Sequence, residues 1–281
     1  MIRYVCVLSL LLTLLVVLGG CEGESAEELR AAGKEAFFEE DYSRARDLLV
    51  QALQLSPSDK DLLYYAGLAY ERDFLYDSAI FYFRRADILY PKDRAINQHI
   101  RVIATGLGRW QEAIDATYVL ARSGDGYEAY NAELSRLWEE NGSSLNALYW
   151  GRKAIASDTL KENWYIRLSG LASKCGSLYV SIAYIDSAID LIGPRNELVS
   201  NKATCLADLG DYIAAETLLR PLVDSDSALD VSRYSLARTL AAQNDRNKKI
   251  EAIQLFRELL PLLPPEAQLD SIIAILEEEL Q

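Results

Sequence analysis

Gly33, Ala45, Ala52 and Pro57 reappear thirty-four residues later as Gly67, Ala79, Ala86 and Pro91, and Tyr42 reappears as Tyr76. The alanine series runs on from Ala45 and Ala79 through Ala113 and Ala147, passes to Ser181, resumes at Ala215, and arrives three residues late at Ala252. A fixed period of this length belongs to chains built from one supersecondary unit. Such a unit cannot bury its apolar face alone and stacks on copies of itself.

The residue types within the period predict two antiparallel helices per unit. Small residues recur where helices must approach closely: Gly33, Gly67, Ser135, Ser169, Ala203 and Ala237 on first helices, and the Ala45 series on second helices. Leu49, Phe83, Ile185, Leu219 and Phe256 are placed to fill the space between units. Tyr42, Tyr76, Trp110, Leu178 and Tyr212 stand where second helices should open.

These positions resemble the tetratricopeptide repeat. The pattern is met best by 26–59 and 60–93, and more weakly by 94–127, 128–161, 162–195, 196–229 and 230–264. The resemblance implies an all-α fold, a right-handed α-solenoid of about seven helix pairs. It also implies a concave groove that binds a protein or peptide partner and is lined by first-helix residues. In this register the groove takes Arg30, Lys34, Phe37, Tyr64, Leu68, Arg72, Gln98, Val102 and Arg136, with Ile166, Lys174, Tyr234 and Arg238 in equivalent places further along. Aromatic and Arg side chains are the usual anchors of interfaces, so the second unit, with Tyr64 and Tyr65, is the expected hot spot. The carboxylate-clamp members of the family use Lys and Asn. Here Arg30 and Lys34 are basic but the Asn residues are missing, so a clamp is not expected.

Three departures from the repeat predict irregularity. Arg101 occupies a small-residue position, which should loosen or rotate the third unit; Pro221 falls inside a second helix and should bend it. The late Ala252 places an insertion in a turn at Gln243–Lys249. Beyond Pro264 and Pro265, the apolar residues Leu269, Ile272, Ile273, Leu276 and Leu280 fall on one helical face. Glu277, Glu278 and Glu279 lie largely on the other, so 265–281 is expected to be a capping helix.

The first twenty residues read as a signal peptide: Arg3 precedes an apolar run from Tyr4 to Leu18 broken only by Ser9 and Thr13. Leu18-Gly19-Gly20-Cys21 resembles the bacterial lipobox, which implies diacylglycerol and a fatty acyl group such as palmitate on Cys21, with 21–25 as a tether. Each buried methylene contributes about 0.8 kcal/mol, so two or three chains anchor stably where one would not. The implied address is the bacterial cell envelope. Glu22 is not the Asp that retains lipoproteins in the inner membrane of enteric bacteria, which favours the outer membrane facing the periplasm.

A formal net charge of −13 disfavours nucleic acid as a partner, and no run of four basic residues is present to hold an anionic lipid surface. The chain has a single histidine, His99, between Ile96 and Ile100, and it reads as a helix residue rather than a general base. No phosphate-binding glycine loop, nucleophile elbow or His-Glu-x-x-His motif occurs. Cys175 and Cys205 are too few for a disulfide framework and read as two buried small residues, the alternative being a bridge between neighbouring repeats. The Asp224–Asp230 segment lacks the glycine and distal glutamate of a calcium loop, and Ser227 with Asp230 reads as a capping box. No enzyme, metal or cofactor is expected.

The function expected is that of a lipid-anchored envelope scaffold in an assembly, secretion or hydrolase-adaptor complex. The alternative is an accessory lipoprotein capturing nutrients or glycans on Trp110, Trp138, Trp150 and Trp164. Trp110 and Trp138 fall at packing positions, which weighs against it.

Overall fold

The structure, a computed structural model, describes residues 24–157, 161–224, 230–262, 264 and 268–281. The signal segment, Cys21 and the Ser227 end of the expected capping box lie outside them. Among the described residues there are fifteen α-helices and no strand, so the fold is an α-solenoid of helix pairs. It divides into two compact units, 1–130 and 131–281.

The first unit contains α1 (Ala26–Phe38), α2 (Tyr42–Leu55), α3 (Lys60–Arg72), α4 (Tyr76–Leu89), α5 (Arg94–Gly106) and α6 (Trp110–Leu120). It ends in a π turn, Ala121–Asp125, and a 3-10 turn, Tyr127–Tyr130. The second contains α7 (Asn131–Glu140), α8 (Ser144–Ser157), α9 (Lys161–Lys174), α10 (Leu178–Ile192), α11 (Asn196–Asp208), α12 (Tyr212–Val223), α13 (Asp230–Ala241), α14 (Arg246–Leu259) and α15 (Leu269–Glu279).

Short polar side chains start six of these helices by satisfying free amides of the first turn. Ser25 and Glu28 form a reciprocal capping box on α1: the Glu28 amide donates to Ser25 Oγ at 3.2 Å, and the Ser25 amide donates to Glu28 Oε2 at 2.8 Å. Asp41, Asp59, Asp93, Asp211 and Asp245 cap α2, α3, α5, α12 and α14.

The turn inside each of the first six pairs carries the repeat in its backbone. Glu40, Phe74, Gly108, Gly142, Gly176 and Gly210, spaced by thirty-four, all have positive φ. A residue with a Cβ is disfavoured there by about 1–2 kcal/mol, and glycine is not. Glycine occupies four of the six positions; Phe74, at φ 59°, is the bulkiest exception.

The alanine series is the inner seam of both units. Ala45, Ala79, Ala113, Ala147, Ser181, Ala215 and Ala252 are all buried, as are Leu49, Phe83, Ile185, Leu219 and Phe256 between pairs. In the second unit Ser135 Oγ donates to the Ala147 carbonyl at 2.8 Å and Ser181 Oγ to the Ser169 carbonyl at 2.9 Å, so these small residues bring their own hydrogen bonds into the seam. Cys205 is buried 3.4 Å from Ser181 Oγ, Cys175 is half-buried, and both are free thiols. Leu269, Ile273 and Leu276 of α15 join the cluster of Phe256 and Leu259.

Arg101 and the late Ala252 resolve differently from expectation. Arg101 does not open its pair: α5 is unbroken, and Ile96, Ala104, Ala113 and Ile114 remain fully buried around it. The alkyl stem of an Arg can lie along apolar surface while its head reaches out. Pro221 is the third residue from the end of α12 and removes one amide donor from the last turn, and the helix stops at Val223 after 12 residues against 14 in α2 and α4. The turn before α14 runs over four residues, 242–245, against three in each earlier pair. Asp245 caps a helix that starts at Arg246, so the rest of the insertion is absorbed at the front of α14.

Candidate functional site

In the first unit the first helices α1, α3 and α5 form one face, cross-linked by polar contacts. Arg30 pairs with Asp59 at 2.9 Å and with Glu27; Lys34 pairs with Asp61 at 3.1 Å and lies 4.2 Å over the Tyr65 ring. Phe37 meets Tyr65 edge-on at 5.8 Å and Tyr42 at 5.6 Å. Leu68 is buried in the core. Five of the nine expected groove residues thus have established packing or pairing partners, Tyr64 being the fifth.

Tyr64 belongs to a chain centred on His99. The histidine ring stacks on Phe83 with centroids 5.0 Å apart and planes 9° apart. Its Nδ1 lies 2.7 Å from Glu71 Oε2 and its Nε2 3.3 Å from Tyr64 Oη. Burial pushes the Tyr64 phenol above its ordinary range, with the Asp93 charge adding to it. The position of His99 between two isoleucines gave no hint of this, because its two polar partners, Tyr64 and Glu71, come from α3, thirty-five and twenty-eight residues away.

Beside this chain, at the C-terminal ends of α3 and α5, opens a cleft of about 440 Å³ lined by Glu71, Arg72, Phe74, Tyr76, Val102, Ile103, Gly106 and Leu107. Its lip is apolar and wet: Phe74 is 76% exposed, Val102 51% and Leu107 42%. Arg72 and Val102 come from the expected groove set, whereas Phe74 and Leu107 do not. A periodicity argument assigns groove places to helices, and both of these residues stand in turns.

Gln98 lies in a shallower opening with Arg94, Ala95, Arg101 and Tyr130. Arg136 is exposed on α7 of the second unit. In that unit Lys174 pairs with Glu139 at 3.2 Å, Arg238 with Asp208 at 3.6 Å, and Tyr234 packs against Phe256. Trp150 and Trp164 are buried, leaving neither as a stacking platform. Among the described residues no cluster of three or more His, Cys, Asp or Glu is placed to hold a metal, and no helix is long and apolar enough to cross a membrane.

No protein-family model and no curated protein matches the chain in sequence. The fold is shared with solved structures. Over 85% of its length the chain superposes on a chain of the Naa15/Naa10 complex bound to HypK-THB, with a TM-score of 0.63 at 13% identity, and it spans 36% of that chain. A tetratricopeptide repeat protein from Parabacteroides merdae matches over 91% of this chain and 100% of its own, at 15% identity and a TM-score of 0.44. YrrB, described as a TPR protein with an unusual peptide-binding site, matches over 66% and 95%, at 11% identity and a TM-score of 0.46. At these identities the likeness defines a fold class, stacked helix pairs of the α-solenoid type.

Proposed function

We propose that this protein is an interaction scaffold that holds an extended segment of a protein partner against the first-helix face of its first unit, and that Cys21 tethers it by lipid to a bacterial envelope membrane, the outer membrane facing the periplasm. The observation that carries the binding half is Phe74. A bulky aromatic takes a backbone conformation that four of its five repeat equivalents fill with glycine, and it is presented to solvent at the lip of an apolar cleft. Local strain at an exposed apolar side chain is a cost that packing does not repay, and such costs collect at binding sites.

The tether is supported by the sequence alone, in the apolar run ending at Gly20-Cys21 and the polar residues that follow. Capture of a glycan on tryptophan platforms is disfavoured by the burial of Trp150 and Trp164. The test is fractionation of cells producing the full chain and its Cys21→Ser form with radiolabelled palmitate. Label and membrane association that both disappear in Cys21→Ser support the tether, and a Cys21→Ser chain that stays in the membrane fraction refutes it.

A further inference from the structure

The repeat register places a second cleft in the second unit, four repeats on from the first. It measures about 270 Å³, and Ala207, Asp208, Tyr212, Arg238, Thr239 and Ala242 stand where the first has Glu71, Arg72, Tyr76, Val102, Ile103 and Gly106. The two clefts have the same backbone setting and opposite chemistry. In the second, Arg238 faces Asp208 at 3.6 Å, and Thr204 and Ser235 share a hydrogen bond of 3.2 Å, so its polar groups answer one another. In the first, apolar Val102 and Ile103 replace Arg238 and Thr239, and a cation, Arg72, replaces the aspartate.

Among the described residues, Arg72 has no acid of its own. Glu71, in the same wall, is turned to His99 at 2.7 Å, and the adjacent Asp73 is held by Arg46 at 3.1 Å. Other cations on this face, Arg30 and Lys34, are paired with carboxylates of α3 and its cap. An exposed guanidinium without a carboxylate partner, beside an apolar seat, is a feature that a ligand carboxylate would complete.

Resting on the proposed scaffold function, we infer that the segment held in the first cleft is an acidic peptide. One aliphatic or aromatic side chain sits between Phe74, Val102 and Leu107, and an Asp or Glu next to it pairs with Arg72. The second cleft, already neutralised, does not take this ligand.

The test is selection of a random peptide library on the full chain in detergent, followed by fluorescence anisotropy of the enriched peptides. Enriched peptides should place an apolar residue beside Asp or Glu. Arg72→Glu should weaken them about tenfold or more and transfer the preference to Lys-bearing peptides. Phe74→Gly should weaken them by a similar factor with the fold intact, because glycine suits that backbone, and Asp208→Arg should leave them unchanged. Peptides that need Phe74 but show no acidic preference and no response to Arg72→Glu would overturn this inference and leave the scaffold function standing. Selection of no peptide that depends on Phe74 would overturn both. Self-association abolished by Phe74→Gly would make a second copy the occupant and equally overturn the inference.

Discussion

Gly67 lies so close under the ring of Phe83 that a Cβ there would stand 2.6 Å from Cε1, 2.8 Å from Cδ1 and 2.9 Å from Cζ. Three ring atoms at that range cannot be relieved by turning the tip of a flexible side chain. The small residue of the repeat is therefore what lets α3 and α4 close on each other, and what sets the height of the ring on which His99 stacks.

Gly67→Ala should lower stability by about 1–3 kcal/mol despite the better helix propensity of alanine. Gly170, exposed in α9 with nothing within 4 Å of its Cβ position, is the control: Gly170→Ala should gain up to about 1 kcal/mol. Urea titrations of both variants check the contrast in sign.

Phe74→Gly should change stability by no more than about 1 kcal/mol. Relief of the left-handed backbone, about 1–2 kcal/mol, is offset by the chain entropy of glycine and by loss of the edge contact with Tyr76. Phe74→Val keeps the strain and adds a β-branch, so its melting temperature should fall below those of both Phe74→Gly and the parent. Thermal melts of the three forms decide it.

His99→Phe should keep a ring on Phe83 but take from Glu71 Oε2, a buried oxygen, the His99 Nδ1 that lies 2.7 Å from it. The expected loss is about 1–3 kcal/mol. Adding Glu71→Leu to His99→Phe should recover part of it, and a double-mutant cycle measures the coupling.

Stability should fall on the acid side through Glu216. Burial pushes this carboxyl up, but hydrogen bonds from Lys248, Gln243 and Arg220 outweigh it and hold its pKa at about 2, against 4.5 unperturbed. Because the folded value is depressed, the contribution is complete above pH 4.5 and is lost as pH falls through the interval down to about 2. The shift corresponds to about 3 kcal/mol, reduced to on the order of 1–2 kcal/mol by solvent around Arg220 and Glu251. Glu216→Gln should cost that much at neutral pH and flatten the acid limb, as read from unfolding free energies at pH 2 to 7.

The repeating parts of this fold were legible because they obey one local rule many times over. Ala45 and its successors could be read as a seam, and Tyr42, Tyr76, Trp110, Leu178 and Tyr212 as the first residues of second helices, since helix periodicity fixes both. Exceptions to the rule were misread when their cost depended on surroundings. Arg101 leaves Ile96, Ala104, Ala113 and Ile114 fully buried, and most of the residues inserted before Ala252 enter the front of a helix rather than the turn. The cleft was half legible: Arg72 and Val102 follow from helix register, while Phe74 and Leu107 stand in turns. The link between His99 and Glu71 joins residues of successive pairs, which only the stacked structure brings within 2.7 Å.

The most direct measurement is photo-cross-linking in cells producing the full chain, with a benzophenone amino acid placed at Val102 beside the cleft or at Ile88 on α4. A protein adduct formed from position 102, absent from position 88 and lost when Phe74→Gly is added, is the outcome expected of a partner held at this cleft. An adduct from position 102 that survives Phe74→Gly, or one formed from position 88 alone, would contradict it.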